Sequence, residues 1–310
     1  MRIAVVGFGY WGSKIARVFR DTGCHVLAAD TDENRQRAAA RQGFHATGKL
    51  DLTGAHVDVE AVAVCTPPAT HHQIAWDAVC RGVHVLVAKP LTTSSETAAA
   101  LTREAKQRGV SLLTDHTFVY SPAVERLRIE VNACTPSYYD SVRTNLGTTA
   151  TGVDVIWDLA CHDVSIMLHV LGRSPVRVSA INNNDTQAYV AYRFADGLLA
   201  HSHVNWRAPA KIRQTIIGCD DRMIVYDDVS ASEKIRVYHA DTGMDALADY
   251  RLGDIVIPPV STREPLSVMA EAFLHGCGER TVDETGVSVV SVLEAASRSA
   301  RANGEWAWVT

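Results

Sequence analysis

The chain has 310 residues, of which 47% are hydrophobic and 21% are charged, and this length allows two domains with substantial cores. Its net charge of −5 and the lack of any Lys/Arg-rich block argue against nucleic-acid-binding and membrane-surface proteins, because both need clustered positive charge. No apolar segment of the sequence reaches the length that spans a bilayer.

The seven cysteines indicate neither a zinc site nor a disulfide framework. They are scattered, odd in number and without a CxxC pair, and several lie in apolar segments, as small buried hydrophobic residues do. The chain starts directly with an apolar strand, Arg2–Val6, rather than with the profile of a signal peptide. We therefore expect a reduced, cytoplasmic protein.

A glycine-rich motif, Gly-Phe-Gly-Tyr-Trp-Gly, lies between the first predicted strand (3–6) and the first predicted helix. Gly7 allows a tight turn, Gly9 lets the backbone approach a pyrophosphate, and Gly12 permits close packing of helix on strand. Free N–H groups at the helix start attract the anion. The predicted cofactor contacts of this segment are Gly7, Phe8, Gly9, Tyr10, Trp11 and Gly12.

The second predicted strand (25–29) ends at Asp30, about 20 residues beyond the glycines, where an acidic residue hydrogen-bonds the ribose hydroxyls of the adenosine. The same carboxylate repels a 2′-phosphate, so the sequence favours NAD(H) over NADP(H). Arg35 is close enough in sequence to reach such a phosphate, which keeps NADP(H) as a minor option.

The next buried strand (61–65) leads into Thr66-Pro67-Pro68-Ala69-Thr70-His71. Two prolines make this loop rigid and suited to shape a wall of a ligand crevice, and Thr66, Pro67 and His71 are predicted cofactor contacts. Further helices (72–81 and 94–108) alternate with strands, which predicts a doubly wound parallel sheet.

Lys89 ends one of these strands, after Val85–Val87 and before Pro90. It therefore lies near the carboxyl end of a central strand, where open α/β sheets bind their ligands. A partly buried lysine at that position can transfer protons. The alternative is a lysine that only extends to the surface at a strand end.

The nucleotide domain ends close to residue 118, so the predicted domains are 1–118 and 119–310. Pro122, after Ser121, suits the first position of a helix. His116 either approaches the nicotinamide side of the crevice or has a structural role at the hinge, and the sequence favours neither.

A predicted helix over residues 156–170 carries a polar face of Asp158, His162, Ser165 and His169. This face is either a solvated stripe or part of a site. An aspartate one turn before a histidine can orient the ring and stabilise its charged form, or it can hold a substrate hydroxyl.

The rest of the chain predicts a large, mostly antiparallel sheet, with a hairpin turn at 195–197 and two late helices (264–276 and 284–302). Trp206, Arg207 and Lys211 lie at a strand end, either as a grip for a phosphorylated or nucleotide-linked substrate or as a solvated charged edge. A sheet face that no helix covers predicts a homodimer or homotetramer.

The motifs GFGYWG, CTPPATH and VAKPLT, with Asp30 and the later Asp-x-x-x-His pair, resemble the glucose-fructose oxidoreductase/inositol dehydrogenase/MocA (Gfo/Idh/MocA) family. The resemblance covers essentially the whole chain. It implies an N-terminal Rossmann domain, an α+β C-terminal domain with an open-faced sheet, and NAD(P)-dependent oxidation or reduction. It places Lys89 beside nicotinamide and substrate hydroxyl, and Asp158 and His162 in the active site.

One position departs from the family, which typically has glutamate before the lysine where this chain has Ala88. Without it Lys89 loses a possible carboxylate partner, which by itself favours the neutral amine. The segments DHTFVYSPAV and WDLACHDVS look like the branch that acts on sugar nucleotides. Cys161 stands where the closest relatives usually have proline, so the start of its helix is open.

The resulting hypothesis is an oxidoreductase that transfers hydride between nicotinamide and a secondary alcohol or ketone of a sugar, expected to be nucleotide-linked. The predicted catalytic residues are Lys89, His162 and Asp158, and Ala88 and Lys89 join the cofactor contacts. Substrate contacts are Lys89, Asp158, His162, Trp206, Arg207 and Lys211, and no metal is expected. The alternatives are a ketoreductase of deoxysugar or antibiotic biosynthesis and a non-catalytic regulatory relative.

Overall fold

The computed structural model describes residues 1–50, 59–147, 152–240 and 252–310. The chain forms two compact units, each defined by dense contacts among its own residues. The first unit comprises Met1–Thr117 and Glu264–Val290, and the second comprises Phe118–Arg263 and Ser291–Thr310. No helix of the described ranges is long and apolar enough to cross a membrane.

Eight α-helices lie in the described ranges. They are α1 (Tyr10–Asp21), α2 (Glu33–Arg41), α3 (His71–Cys80), α4 (Ser95–Arg108), α5 (Pro122–Asn132), α6 (Cys161–Leu171), α7 (Pro265–Glu279) and α8 (Thr285–Arg301).

A six-stranded parallel sheet forms the centre of the first unit. Its strands are β1 (Arg2–Val6), β2 (His25–Ala29), β3 (His45–Thr47), β4 (Ala61–Val64), β5 (His84–Ala88) and β6 (Leu112–Asp115). Their order is β3-β2-β1-β4-β5-β6, the doubly wound arrangement that the alternation of strands and helices predicts. All four residues of β4 are buried, as expected of a strand covered on both faces. The short edge strand β3 was not predicted.

Helix α7 belongs to the first unit. The domain boundary predicted from the sequence, at residue 118, would place this helix in the second unit. Its Phe273 packs edge-to-face on Phe19 of α1, with ring centroids 5.8 Å apart. Its Gly276 carbonyl accepts a hydrogen bond of 2.6 Å from the Ser111 hydroxyl. These contacts join segments that are far apart in sequence, so no local sequence pattern predicts them.

A nine-stranded sheet forms the centre of the second unit. Its strands are β7 (Pro136–Leu146), β8 (Arg177–Asn183), β9 (Gln187–Arg193), β10 (Leu199–Asn205), β11 (Arg207–Cys219), β12 (Arg222–Asp227), β13 (Ile235–Ala240), β14 (Leu252–Val256) and β15 (Ala307–Trp308). Their order is β14-β13-β12-β11-β7-β10-β9-β8-β15. Among the described strand pairs of this second sheet only β7 and β10 run parallel. The predicted fold class of both domains is confirmed.

The helix predicted over residues 156–170 is interrupted at its start. Residues Ile156–Ala160 form a π-helical turn, and the regular helix α6 begins at Cys161. A π turn has a wider hydrogen-bond spacing than an α-helix, and such turns are frequent at functional sites. Asp158 therefore lies in the π turn, whereas His162 lies in the first turn of α6.

The expectation of no disulfide is wrong for one pair of cysteines. The Sγ atoms of Cys134 and Cys219 are bonded at 2.14 Å. Cys219 ends β11 opposite Pro136 of β7, and Cys134 lies two residues before that strand. The pairing of these strands brings together two cysteines that are 85 residues apart in sequence, which spacing alone does not predict.

Candidate active site

The backbone around the glycine motif leaves no room for side chains at two positions. A Cβ atom on Gly7 would lie 2.6 Å from the Cys65 carbonyl oxygen, and one on Gly12 would lie 1.8 Å from the Gly7 carbonyl oxygen. Gly7 also has a φ of +91°, which L side chains rarely adopt. The turn is thus held close to both α1 and the end of β4.

Helix α1 starts without a side-chain cap. Gly9 occupies the cap position, and the first turn carries no acidic residue. The N–H groups of this turn and the positive end of the helix dipole are therefore suited to an anion. This arrangement fits the pyrophosphate of a dinucleotide.

Asp30, which follows β2, is almost fully buried and is held beside the glycine turn. Its carboxylate accepts hydrogen bonds from the backbone N–H of Phe8 at 2.7 Å and of Asp32 at 2.9 Å. The Arg35 guanidinium lies 3.5 Å from the same carboxylate. The side chain of Phe8 packs on Phe44 in the core, so its contribution to the turn is its backbone N–H.

A cavity of about 1010 Å³ opens beside this carboxylate within the first unit. Its lining includes Gly7, Asp30, Arg35, Thr66 and Pro67, so four predicted cofactor residues and the cation considered for NADP(H) share one space. The volume suits a ligand larger than a single sugar. The uncapped helix start, the buried Asp30 carboxylate and this cavity together fit NAD(H).

Tyr10 and Trp11, the two other residues of the glycine motif, have different surroundings. Tyr10 is exposed, and its hydroxyl accepts a hydrogen bond of 2.7 Å from Lys14. The Trp11 indole N–H donates to Asp115 at 2.6 Å. Trp11 thus links the cofactor turn to the end of β6.

His71 is buried and joins two loops. Its Nδ1 lies 2.8 Å from the Pro90 carbonyl oxygen, and its Nε2 lies 2.8 Å from the Thr66 carbonyl oxygen. Both ring nitrogens face backbone, so His71 shapes the crevice by tying the loop after β4 to the loop after β5. The described contacts of the His71 ring nitrogens are with backbone carbonyl oxygens, so His71 would act on a cofactor through the position of these two loops.

Lys89 follows β5 directly. Two residues that are not among the predicted site residues lie at the same edge of the sheet, at the end of the neighbouring strand β6. Asp115 ends β6 and His116 follows it, both 2% exposed. Burial raises the pKa of Asp115 and lowers the pKa of His116 to about 3, and the positive charge of Lys89 lowers both. The signal in the sequence was their position at the carboxyl end of the strand next to β5.

His116 has no hydrogen-bond partner for either ring nitrogen among the residues that the structure describes. Buried polar atoms without partners are rare in native proteins, and each requires an explanation such as a ligand or an ordered water. A neutral imidazole offers one donor and one acceptor. His116 therefore joins Lys89 as a candidate ligand-binding side chain.

In the second unit, Asp158 and Trp206 come together. The Trp206 indole N–H donates a hydrogen bond of 3.0 Å to the Asp158 carboxylate. Trp206 is buried and also covers Gly147, where a Cβ atom would lie 2.3 Å from the indole ring. Trp206 thus holds the Asp158 carboxylate in one orientation.

His162 packs against an aromatic ring rather than lying in a solvated stripe. Its imidazole meets Phe118 edge-to-face, with centroids 5.0 Å apart. On the polar face predicted for this helix, Ser165 is fully buried and donates to the His162 carbonyl oxygen at 2.8 Å. The face is therefore partly internal, which favours a site over a solvated stripe.

The predicted substrate contacts after Trp206 lie elsewhere. Arg207 and Lys211 are exposed on β11, and the pairing of β11 with β7 is irregular between Arg207 and Ile212. The described contacts do not bring these two cations to Asp158. Their proposed grip on a phosphate stays a prediction.

Two family models match the chain. The model described as the oxidoreductase family with an NAD-binding Rossmann fold matches residues 1–116. The model of the Gfo/Idh/MocA C-terminal domain matches residues 126–225, so the matches together span more than half of the chain. This chain belongs to the Gfo/Idh/MocA family. It is an NAD(P)-dependent oxidoreductase that acts on CH–OH groups.

Known proteins resemble this chain over nearly its whole length. The chain is 29% identical to UDP-N-acetylglucosamine 3-dehydrogenase of Acidithiobacillus ferrooxidans over 307 residues, which covers 96% of this chain and 95% of that one. The solved structure of that enzyme covers 98% of both chains with a TM-score of 0.85 at 24% identity. GenD2 from gentamicin A biosynthesis, solved with NAD, is 27% identical with a TM-score of 0.82, covering 100% of this chain and 96% of that one.

Because the buried Asp30 carboxylate would repel a 2′-phosphate, this Gfo/Idh/MocA oxidoreductase is expected to bind NADH more tightly than NADPH. Replacing Asp30 with asparagine removes the charge but keeps an acceptor for the Phe8 N–H, and it frees Arg35 to bind a 2′-phosphate. We expect the ratio of NADPH to NADH dissociation constants to fall by about tenfold or more. Fluorescence titration with both nucleotides measures this ratio.

Asp32→Asn is the matched control, because Asp32 also lies near Arg35, at 3.9 Å, but is half-exposed. This variant should leave the ratio nearly unchanged. Tighter binding of NADPH by the wild type, or an equal change in both variants, would contradict the role given to Asp30.

Because His116 is buried, we expect the free energy of unfolding to decrease at acidic pH. Its pKa is about 3 in the folded protein against about 6.5 when unfolded, so the unfolded chain binds the extra proton between these values. Its contribution to stability is present above pH 6.5 and is lost as the pH falls towards 3. The expected slope is on the order of 1 kcal/mol per pH unit.

His116→Gln separates this effect from those of other groups, including Asp115, whose raised pKa acts in the opposite direction. Urea unfolding of both proteins between pH 4 and pH 8 should show a shallower decline in the free energy of unfolding for the variant. Parallel curves would show that His116 is not buried in its neutral form.

Proposed function

We propose that this protein transfers hydride between NAD(H) and a secondary alcohol or ketone of a sugar, with a nucleotide-linked sugar as substrate. The observation that carries the proposal is the position of Lys89 at the carboxyl end of β5, in a sheet whose β1–α1 turn fits a pyrophosphate. When bound, the nicotinamide supplies the hydride acceptor or donor. The residues of the chain bind the substrate and move its proton.

In the oxidative direction we assign to His162 the removal of the hydroxyl proton. Lys89 stabilises the negative charge that develops on the substrate oxygen. Asp158, oriented by the Trp206 indole, positions either His162 or a second sugar hydroxyl. In the reductive direction the same groups donate, as microscopic reversibility requires.

The nucleotide-linked class of substrate is supported by the likeness to UDP-N-acetylglucosamine 3-dehydrogenase over 96% of the chain. Arg207 and Lys211 are the proposed contacts to its phosphates, because exposed cations at a strand end suit a diphosphate. The likeness to GenD2 from gentamicin A biosynthesis supports an alternative, a ketoreductase of deoxysugar or antibiotic biosynthesis that uses the same residues in the opposite net direction.

A panel of nucleotide sugars and the matching free sugars tests the proposal. Each compound is mixed with NAD⁺, and each keto form with NADH, and the absorbance of NADH is followed. We expect turnover with at least one nucleotide sugar and slower or no turnover with its free sugar. Turnover of free sugars alone would remove the nucleotide requirement, and silence across the panel, with NADH binding intact, would favour a regulatory nucleotide-binding protein.

We also propose a homodimer or homotetramer formed through the sheet of the second unit. Ile181 and Tyr189 are paired across β8 and β9, and Leu199 and Tyr138 across β10 and β7, and all four side chains are exposed. The pairing of β9 with β10 puts all four on the same face of the sheet, and exposed apolar side chains that share a face suit an interaction surface. We place the protein in the cytoplasm, where NAD(H) and nucleotide sugars are supplied.

A further inference from the structure

We propose that Phe118 is a positioning residue of His162, with a phenyl ring that fixes the orientation of the imidazole. This inference rests on the proposed function for what His162 does during turnover. One of its tests reads the orientation of the imidazole directly and needs no turnover.

The orientation of the His162 imidazole depends on the groups that surround it. His162 lies in the first turn of α6, so the helix fixes its backbone, but the torsion that turns a histidine ring has only a broad preference. The ring centroids of His162 and Phe118 are 5.0 Å apart, with an angle of 74° between the ring planes. This is the edge-to-face arrangement that aromatic pairs prefer, so the phenyl ring favours one orientation of the imidazole.

The Phe118 ring is itself held by two cations. The guanidinium carbon of Arg143 lies 4.5 Å from the ring centroid, and that of Arg213 lies 5.2 Å from it. Both distances are within the range over which a guanidinium is attracted to the face of an aromatic ring. The phenyl ring is thus held by charged side chains as well as by packing.

The register of two strands explains why both arginines reach one ring. Arg213 of β11 is paired with Arg143 of β7 in the antiparallel ladder, so the two side chains project from neighbouring positions on the same face of the sheet. Like charges at directly opposite positions destabilise a pair of strands, so this arrangement needs a compensating contact. A phenyl ring that attracts both guanidinium groups provides one.

Each guanidinium is also anchored by a carboxylate. Arg143 donates to Asp163 at 3.0 Å, and both of these side chains are buried. Arg213 Nη1 donates to Asp228 at 3.0 Å. The two cations therefore have fixed positions, and so does the phenyl ring on which the imidazole packs.

A fixed imidazole is what the proposed proton transfer needs. A general base acts only within hydrogen-bond reach of the proton that it takes, and a displacement of about 1 Å can lower the rate of an enzyme by about 10²-fold. In this account Phe118 takes no part in the proton transfer itself and acts through the ring of His162.

Phe118→Leu tests the inference, because it removes the phenyl ring but keeps an apolar side chain. Crystal structures should show one orientation of the His162 imidazole in the wild type, and a turned or divided imidazole in the variant. With an active substrate, we expect the rate of hydride transfer to fall by about 10- to 10²-fold with a nearly unchanged KM. Phe118→Tyr keeps the ring and should retain both the orientation of the imidazole and most of the rate.

Phe194→Leu is the matched control. Phe194 is also a buried ring of the second unit, and the guanidinium of Arg173 lies 5.5 Å from its centroid. This variant should lose stability in urea unfolding but keep the wild-type rate and the orientation of His162. An unchanged imidazole orientation in Phe118→Leu overturns the inference, and so does an equal loss of rate in Phe194→Leu.

A double-mutant cycle tests whether Arg213 acts through the phenyl ring. Arg213→Met keeps the stem of the side chain but removes the cation, and it should lower the rate by less than Phe118→Leu does. In the Phe118→Leu background the same substitution should have no further effect, because residues that share one contact are not additive. Additive effects overturn the inference. If Phe118→Leu does not fold, Phe118→Met replaces it in every comparison, with the same expected and contrary results.

These outcomes separate the positioning role from the proposed function. If the wild type turns over no sugar while Phe118→Leu shows a turned imidazole, the proposed function fails and the role of Phe118 stands. If the wild type turns over a sugar and the imidazole of Phe118→Leu is unchanged, the reverse holds. A turned imidazole with the wild-type rate would remove His162 from the proposed chemistry, and with it the role of Phe118.

Discussion

Lys89→Met is expected to lower the rate of hydride transfer by about 10²- to 10⁴-fold, the range typical of a lost acid–base or electrostatic group at a reacting oxygen. Methionine keeps the length and apolar stem of the side chain but removes the ammonium. The affinity for NADH should stay nearly unchanged, because the glycine turn, Asp30 and the cavity beside them do not depend on this charge. Single-turnover absorbance measurements and NADH titration separate the two quantities.

The control for this prediction is Lys106→Met. Lys106 lies on α4, is half-exposed and forms a surface ion pair with Glu284, a kind of contact that contributes little to stability. It should retain the wild-type rate. His162→Ala should lower the same rate as Lys89→Met does, again with NADH binding retained. A Lys89 or His162 variant that turns over at the wild-type rate would remove that residue from the proposed chemistry.

Arg143→Met is expected to destabilise the second unit by about 3 to 5 kcal/mol, because it leaves a buried carboxylate without its partner. Arg143 and Asp163 have side chains only 2% and 3% exposed, and the guanidinium Nε donates to the carboxylate at 3.0 Å. Burial raises the pKa of Asp163, and the Arg143 charge opposes that rise. Urea unfolding at neutral pH measures the loss.

The double variant Arg143→Met/Asp163→Leu distinguishes an unpaired charge from lost packing. Arg143 Nη1 and Asp163 Oδ2 have no hydrogen-bond partner among the described residues, so the pair is incompletely satisfied and is expected to contribute little net stability. The double variant should therefore recover most of the loss. If it is as unstable as the single variant, packing dominates.

This buried pair also supports the candidate site. The Arg143 guanidinium lies 4.5 Å from the centroid of the Phe118 ring, and the His162 imidazole packs against that same ring. The ion pair, the phenyl ring and the imidazole thus form one contiguous layer in the second unit. We expect Arg143→Met to disturb the orientation of His162 as well as the fold.

The fold class, the family and the cofactor class follow from patterns in the amino-acid sequence. The alternation of apolar strands with helices predicts the parallel sheet, because each strand buried on both faces is a nearly continuous apolar run. The glycine motif and Asp30 lie within one strand–helix–strand unit, so local spacing is sufficient to predict a nucleotide turn. Local order likewise identifies Lys89, as a charged residue at the end of an apolar strand.

The residues that surround these groups, in contrast, are known from the three-dimensional fold. Asp115 faces the level of Ala88 because β5 and β6 are neighbours in register, and the Trp206–Asp158 and Cys134–Cys219 pairs join positions 48 and 85 residues apart. Strand register and the placement of α7 depend on the packing of the whole unit. Sequence patterns report which face of an element is buried, but they do not report which distant side chain completes the contact, because that depends on how the whole unit packs.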